Sequence, residues 1–308
     1  MSRHSDPHAL PTADHWSDEF DAPAQDAGPS SPPSPFIDQA DGLRRLFAGR
    51  TLRFVPVVSN PSVTCGGAML ERLSTVYAEQ GLSTLVVDAG ERARAPRELT
   101  RFDLSEGIEM LSTQVSYLAA RGLPLRYVDA SGSTTSFLDA LARASGDADV
   151  VLLHAPATDL ARLLARRVQS HEATALRPIL LCDERADSVT HAYGAIKLLA
   201  ARAGLMAHDL LISAAANSPR AKVVAERLAR CADNFLGAVL HDWVAIDPRE
   251  AATVAPSLAL QGLARGQFAC ALVQRVSDLA DGMPAERLHR SALPAQATMA
   301  APQARAHR

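Results

Sequence analysis

The chain has 308 residues, enough for one large α/β domain or two small ones, and 47% of them are hydrophobic, as in a globular chain with a real core. The net charge of −3 and sequence pI near 6.4 exclude electrostatic binding of nucleic acid, which requires a basic face. Cys65, Cys182, Cys231 and Cys270 are too far apart for a CxxC or Cys/His metal site and read as buried free thiols of a reducing cytosol.

Residues 1–35 are rich in Asp, Ser, Pro and Ala. The run Gly28-Pro-Ser-Ser-Pro-Pro-Ser-Pro35 has too little apolar area to bury, so this tail is expected to be disordered. No charged-then-apolar leader opens the chain. No stretch reaches the roughly 18 apolar residues of a membrane span, and a cytoplasmic protein is expected.

An amphipathic piece at 36–50 precedes the regular part. Asp38 can cap a short helix and Asp41 adds charge to its first turn. Ala40, Leu43, Leu46 and Phe47 fall at helical spacing, flanked by Arg44 and Arg45. A helix this short is marginal alone in water, so the piece is expected to dock on a partner or on its own domain.

Leu52 to Val58 is an apolar run that reads as a buried strand, Ser59 to Gly67 as a loop, and Ala68 to Gln80 as a helix closed by Gly81. Further strands are read at Leu85–Val87, Leu125–Val128, Val150–Leu153, Ile179–Cys182 and Leu210–Ile212. Helices are read from Phe137, at Ser188–Ala203 and at Ala221–Ala232. Continuous apolar strands alternating with helices predict a doubly wound, mostly parallel α/β sheet covered on both faces. The domain spans 51–282. Phe268 to Ala280 is expected to pack on it, and 283–308 to form a loose polar tail. That tail has no aromatic anchor, so no membrane attachment is expected.

A strand, loop and helix at 52–80 is the position of a phosphate-binding loop. Such a loop needs glycines, a lysine for the phosphates and a Ser/Thr hydroxyl for magnesium. Here it reads Ser59-Asn-Pro-Ser-Val-Thr-Cys-Gly-Gly67, and the only lysines in the chain are Lys197 and Lys222.

The framework resembles the MinD/ParA family of P-loop ATPases. Gln80-Gly-Leu-Ser-Thr-Leu-Val-Val-Asp-Ala89 is similar to the family's G-x-x-V-L-L-I-D-A-D strand. Asp183 to Leu198 is similar to its T-P-E-P-x-S-x-x-D-A-Y-x-x-I-K-x-L segment. Laid on the family loop K-G-G-x-G-K-T, the signature lysine falls on Pro61, the catalytic lysine on Gly66 and the magnesium hydroxyl on Gly67, with Thr64 between. The first acid of the D-x-D is Asp88, but the second falls on Gly90. The Walker B acid falls on His154, and the Asn near adenine at about Ser213. Proline lacks an N–H, and a neutral imidazole is a poor magnesium ligand. The resemblance therefore implies a degenerate nucleotide site at Pro61, Thr64, Gly66, Gly67, Asp88 and His154. No ATPase activity is expected, and neither ATP nor magnesium as a cofactor.

Asp38-Gln-Ala-Asp-Gly-Leu-Arg44 resembles the D-Q-A-x-x-L-R motif of the FlhG (FleN) family, MinD-like regulators of flagellar number. All five defined letters match, at Asp38, Gln39, Ala40, Leu43 and Arg44. The resemblance implies that this motif binds and stimulates an FlhF-type GTPase of the signal-recognition-particle class, Leu43 anchoring and Arg44 and Gln39 making polar contacts. It further implies flagellar switch or transcription-regulator proteins as partners, and recruitment to the cell pole. The alternatives are an ATP-dependent switch with an atypical loop, and a polar-localisation or partition scaffold on the same fold.

Overall fold

The computed structural model describes residues 50–170, 175–215, 217–250 and 253–276. The 1–35 tail, the Asp38 to Arg44 motif and the 283–308 tail lie outside the described residues.

A nine-stranded sheet runs in the order β3-β4-β2-β5-β1-β6-β7-β8, with β9 also paired to β1. The strands are β1 (Thr51–Val58), β2 (Thr84–Asp88), β3 (Ile108–Met110), β4 (Val115–Ala119), β5 (Val150–Ala155), β6 (Ile179–Asp183), β7 (Ala207–Ser213), β8 (Val239–Ile246) and β9 (Leu272–Arg275). All pairings are parallel except β3 on β4 and β9 on β1. The helices are α1 (Gly66–Glu79), α2 (Ser136–Ala144), α3 (Ala157–Gln169), α4 (Ala186–Ala203), α5 (Pro219–Leu236) and α6 (Leu258–Cys270).

Alternate residues of each central strand enter two separate cores, which is why the strands read as unbroken apolar runs. Phe54, Leu85, Val87, Val151, Leu153 and Leu180 join one core with the apolar stripes of α2, α3, α4 and α5. Val55, Val57, Val86, Leu152 and Leu181 join the other, under α1 and α6. The β1–β2 connection runs toward one edge of the sheet with α1 on one face. The connections through α2 to α5 run toward the other edge with their helices on the opposite face, and α6 then returns to the α1 face. The crevice beyond the carboxyl ends of β1 and β5 is therefore the topological switch point, where ligands of open α/β sheets bind.

The doubly wound, mostly parallel sheet matches the sequence expectation, and Gly81, at φ +77°, follows α1 as read. Several expected elements differ. Leu125–Val128 is not a strand: Pro124–Tyr127 forms a 3₁₀ turn with Pro124 in its first turn. The strand at that stage of the chain is β4, whose partly exposed residues gave no apolar run. Helix α3 follows Pro156 directly and buries Leu160, Leu163 and Leu164. The C-terminal apolar stretch is two elements: α6 ends at Cys270, and Leu272–Arg275 turns back as an antiparallel strand against Thr51–Phe54. Cys182 and Cys270 are buried, but Cys65 is half-buried and Cys231 exposed, so burial of all four thiols is corrected.

Candidate functional site

The Ser59–Gly67 loop lies at the switch point. It joins β1 to α1, which starts at Gly66, two residues earlier than the sequence pattern suggested. Neither Gly66 nor Gly67 has a positive φ, so the backbone does not alternate there between right- and left-handed conformations as an anion nest requires.

The loop is closed upon itself. Ser59 N–H donates to the Ala155 carbonyl at 2.9 Å, and Val63 N–H to the Asn60 carbonyl at 3.0 Å. Ser62 N–H donates to Asn60 Oδ1 at 3.1 Å, and Pro61 has no N–H to offer. Buried Asn60 turns its Nδ2 the other way, to the carbonyls of Leu181 at 2.9 Å and Ser188 at 3.0 Å and to Ser188 Oγ at 3.1 Å. One side chain thus ties the loop to the end of β6 and to α4. Val63 is buried in the core under α1, which anchors the turn from the other side.

Asp88, at the end of β2, and His154, near the end of β5, stand side by side in the parallel ladder. His154 Nδ1 lies 2.7 Å from Asp88 Oδ1. Gly90 N–H donates to the same oxygen at 3.1 Å, and the Tyr117 hydroxyl donates to Oδ2 at 3.2 Å. Burial alone would raise the Asp88 pKa. The hydrogen bond and charge of His154, with the Gly90 and Tyr117 donors, outweigh it and hold the carboxyl below its ordinary value. Tyr117 is pushed up to about 12 by burial and by the neighbouring Asp88 charge. With a carboxylate oxygen facing it, Nδ1 is the donor of the pair.

Sequence reading missed Glu91. Its carboxylate accepts from Ser59 Oγ at 2.6 Å and lines the same cavity as Pro61, Thr64, Gly66, Gly67, Asp88 and His154. The serine at the start of the loop and an acid three residues beyond Asp88 were both visible in the sequence. Nothing in their spacing paired them. The cavity has a volume of about 240 Å³, below the roughly 300–1,000 Å³ of pockets that enclose drug-sized ligands.

Arg72, the cation nearest the loop in sequence, is turned away. Its guanidinium meets the Val254 carbonyl and Glu250, the latter at 3.5 Å. Ser213, at the adenine-side position, faces Cys65, with Sγ 2.8 Å from the serine Oγ. Among the described residues no group of three or more His, Cys, Asp or Glu is arranged to hold a metal ion. No helix among them is long and apolar enough to cross a membrane.

No protein-family model and no curated protein matches the chain. Solved structures do. A complex of McdA from Cyanothece with ATP is similar at TM-score 0.46 and 13% identity, over 76% of this chain and 98% of that one. The MinD cell division protein of Aquifex aeolicus is similar at TM-score 0.44 and 12% identity, over 69% of this chain and 95% of that one. Cobyrinic acid a,c-diamide synthase of Mycobacterium smegmatis is similar at TM-score 0.44 and 16% identity, over 70% and 92%.

The structure brings together Pro61, Thr64, Gly66, Gly67, Asp88 and His154, all of them around one cavity. Asp38, Gln39, Ala40, Leu43 and Arg44 lie outside the described residues.

Proposed function

We propose that this chain is a non-catalytic regulator of flagellar number or placement that binds and stimulates an FlhF-type GTPase through Asp38 to Arg44. The main domain serves as a fixed scaffold for that motif. The observation that carries the reading is a contrast between two parts of one chain. The D-Q-A-x-x-L-R letters at Asp38, Gln39, Ala40, Leu43 and Arg44 are intact. The first half of the loop behind them is closed by the Ser62 and Val63 N–H groups and by Asn60.

The residues present do not fit ATP and magnesium. Phosphoryl transfer depends on cations placed around the transferring group. The cavity presents two carboxylates, Asp88 and Glu91, against a single guanidinium, Arg92, and no lysine. Where an acid would hold magnesium, His154 is hydrogen-bonded to Asp88.

The stimulation is tested with a peptide of residues 36–50 added to a purified FlhF-type GTPase. Faster GTP hydrolysis, lost on Arg44→Ala, is the expected result. If the wild-type peptide leaves hydrolysis at the basal rate, the activator role is wrong. Calorimetry of the whole protein with ATP and magnesium tests the other half. No heat of binding is expected, and binding with turnover would establish an ATP-driven switch instead.

A further inference from the structure

A second cavity, of about 400 Å³, lies away from the loop, between the turn before α2 and the helices α3 and α4. Three guanidiniums line it: Arg162 and Arg166 from α3 and Arg202 from the last turn of α4. The opposite wall is the turn Ser131-Gly132-Ser133, which Gly132 makes tight by its φ of +77°. We propose that this cavity binds a phosphomonoester, either a free phosphoryl compound or the phosphorylated side chain of a partner protein.

The argument is one of charge balance and donor geometry. Arg162 and Arg166 stand one helical turn apart, a spacing at which like charges repel. Each has one carboxylate near it: Asp159 at 3.8 Å from Arg162 and Asp129 at 3.5 Å from Arg166. No carboxylate of the described residues pairs with Arg202. Three positive charges therefore face two negative ones, and the ion pairs that exist are long. An arginine in the last turn of a helix ordinarily complements the carbonyl end of that helix. That role explains Arg202 alone, and it does not explain three guanidiniums around one hollow.

The opposite wall is already organised. Asp129 Oδ1 accepts from the N–H of Ser131 at 2.9 Å, the N–H of Ser133 at 3.0 Å and Ser131 Oγ at 2.6 Å. The turn is thus held by its own aspartate. Arg166 donates to Ser131 Oγ, which places a guanidinium against the serine wall. A dianionic phosphate has several acceptor oxygens in tetrahedral array, which suits converging planar guanidinium forks. A carboxylate has only two and would leave one guanidinium unmatched.

The probes are inorganic phosphate, O-phosphoserine in a short peptide, and the same peptide unphosphorylated, titrated into the whole protein by calorimetry. Amide shifts are followed at Ser131 to Ser133. Saturable binding of a phosphorylated probe is expected, with the shifts centred on that turn. Arg202→Gln, an exposed change, should weaken binding by about tenfold, as for one lost charge-assisted bond. Arg166→Lys keeps the charge, loses the fork and should weaken it too. Tighter binding of the phosphopeptide than of phosphate assigns a protein partner. Equal binding assigns a free phosphoryl compound. No saturable binding by the folded wild type, or equal binding of the unphosphorylated peptide, overturns the proposal. The activator reading stands or falls separately, since neither arm involves residues 36–50.

Discussion

Gly90 lies so close to the His154 ring that a Cβ built on it would stand 2.7 Å from Cε1 and 3.1 Å from Nδ1. Position 90 is where the resemblance places the second acid of the D-x-D, and position 154 is where it places the Walker B acid. The imidazole at 154 therefore needs the absence of a side chain at 90. Gly90→Ala is expected to displace the ring and cost about 1–3 kcal/mol, the usual penalty of overpacking. In a His154→Ala background the same substitution should cost at least about 1 kcal/mol less, because the ring is gone and only Asp88 Oδ1, at 3.2 Å, remains close. Denaturant unfolding of the four proteins gives the coupling, and additive costs would rule out the steric account.

Asn60 holds the loop through both ends of its amide. Asn60→Ala removes the donor from two buried carbonyls and the acceptor from the Ser62 N–H. A loss of about 2–3 kcal/mol is expected, by the penalty for orphaned buried groups. Amide exchange should rise first at Ser62 and Val63, ahead of β1. Unchanged exchange there would mean that the turn is held by Val63 packing alone.

His208 is fully buried at the irregular step of β7, and neither ring nitrogen has a hydrogen-bond partner. Burial lowers its pKa from 6.5 to about 4. As pH falls, the unfolded chain takes up this proton first, so the folded state loses stability from about pH 6.5 downward and the loss levels off near pH 4. The full effect is about 3 kcal/mol, at roughly 1.4 kcal/mol per pH unit. His208→Leu should be neutral or stabilising at pH 7 and should flatten the curve between these limits. Parallel urea midpoints of the two proteins from pH 7 to 4 would refute this.

The central sheet was legible because its strands are buried on both faces. Val150-Val-Leu-Leu153 or Ile179-Leu-Leu-Cys182 can hardly be anything else. The strands near the edges were not. β8 carries His241, Asp242 and Trp243, since one side of it meets solvent, and β4 is only partly covered. The site shows the same division. Asp88 and His154 could be read at the ends of their strands because a strand end is marked by where the apolar run stops. Glu91 and Asn60 were missed because their partners, Ser59 and Ser188, are set by a closure of the loop that no local pattern encodes.

Asp209 is a buried acid at the junction of β7, β8 and α6. It is 1% exposed, and four groups surround its carboxylate: Arg177 Nε at 3.2 Å, Gln267 Nε2 at 2.6 Å, Asp242 N–H at 3.0 Å and His241 Nδ1 at 3.5 Å. The Asp242 contact falls where the β7–β8 register shifts, so the side chain replaces a ladder bond that the backbone cannot make there. Gln267 also donates to the Arg177 carbonyl at 3.0 Å, which ties α6 to the entry of β6. Arg177→Ala leaves the carboxylate buried without its strongest partner and should cost about 3–5 kcal/mol. The double variant Arg177→Ala with Asp209→Asn removes the stranded charge, and recovery of at least about 1 kcal/mol of that loss is expected. If the double variant is no more stable than Arg177→Ala, the arginine acts by packing against α6, and the carboxylate has no part in its contribution.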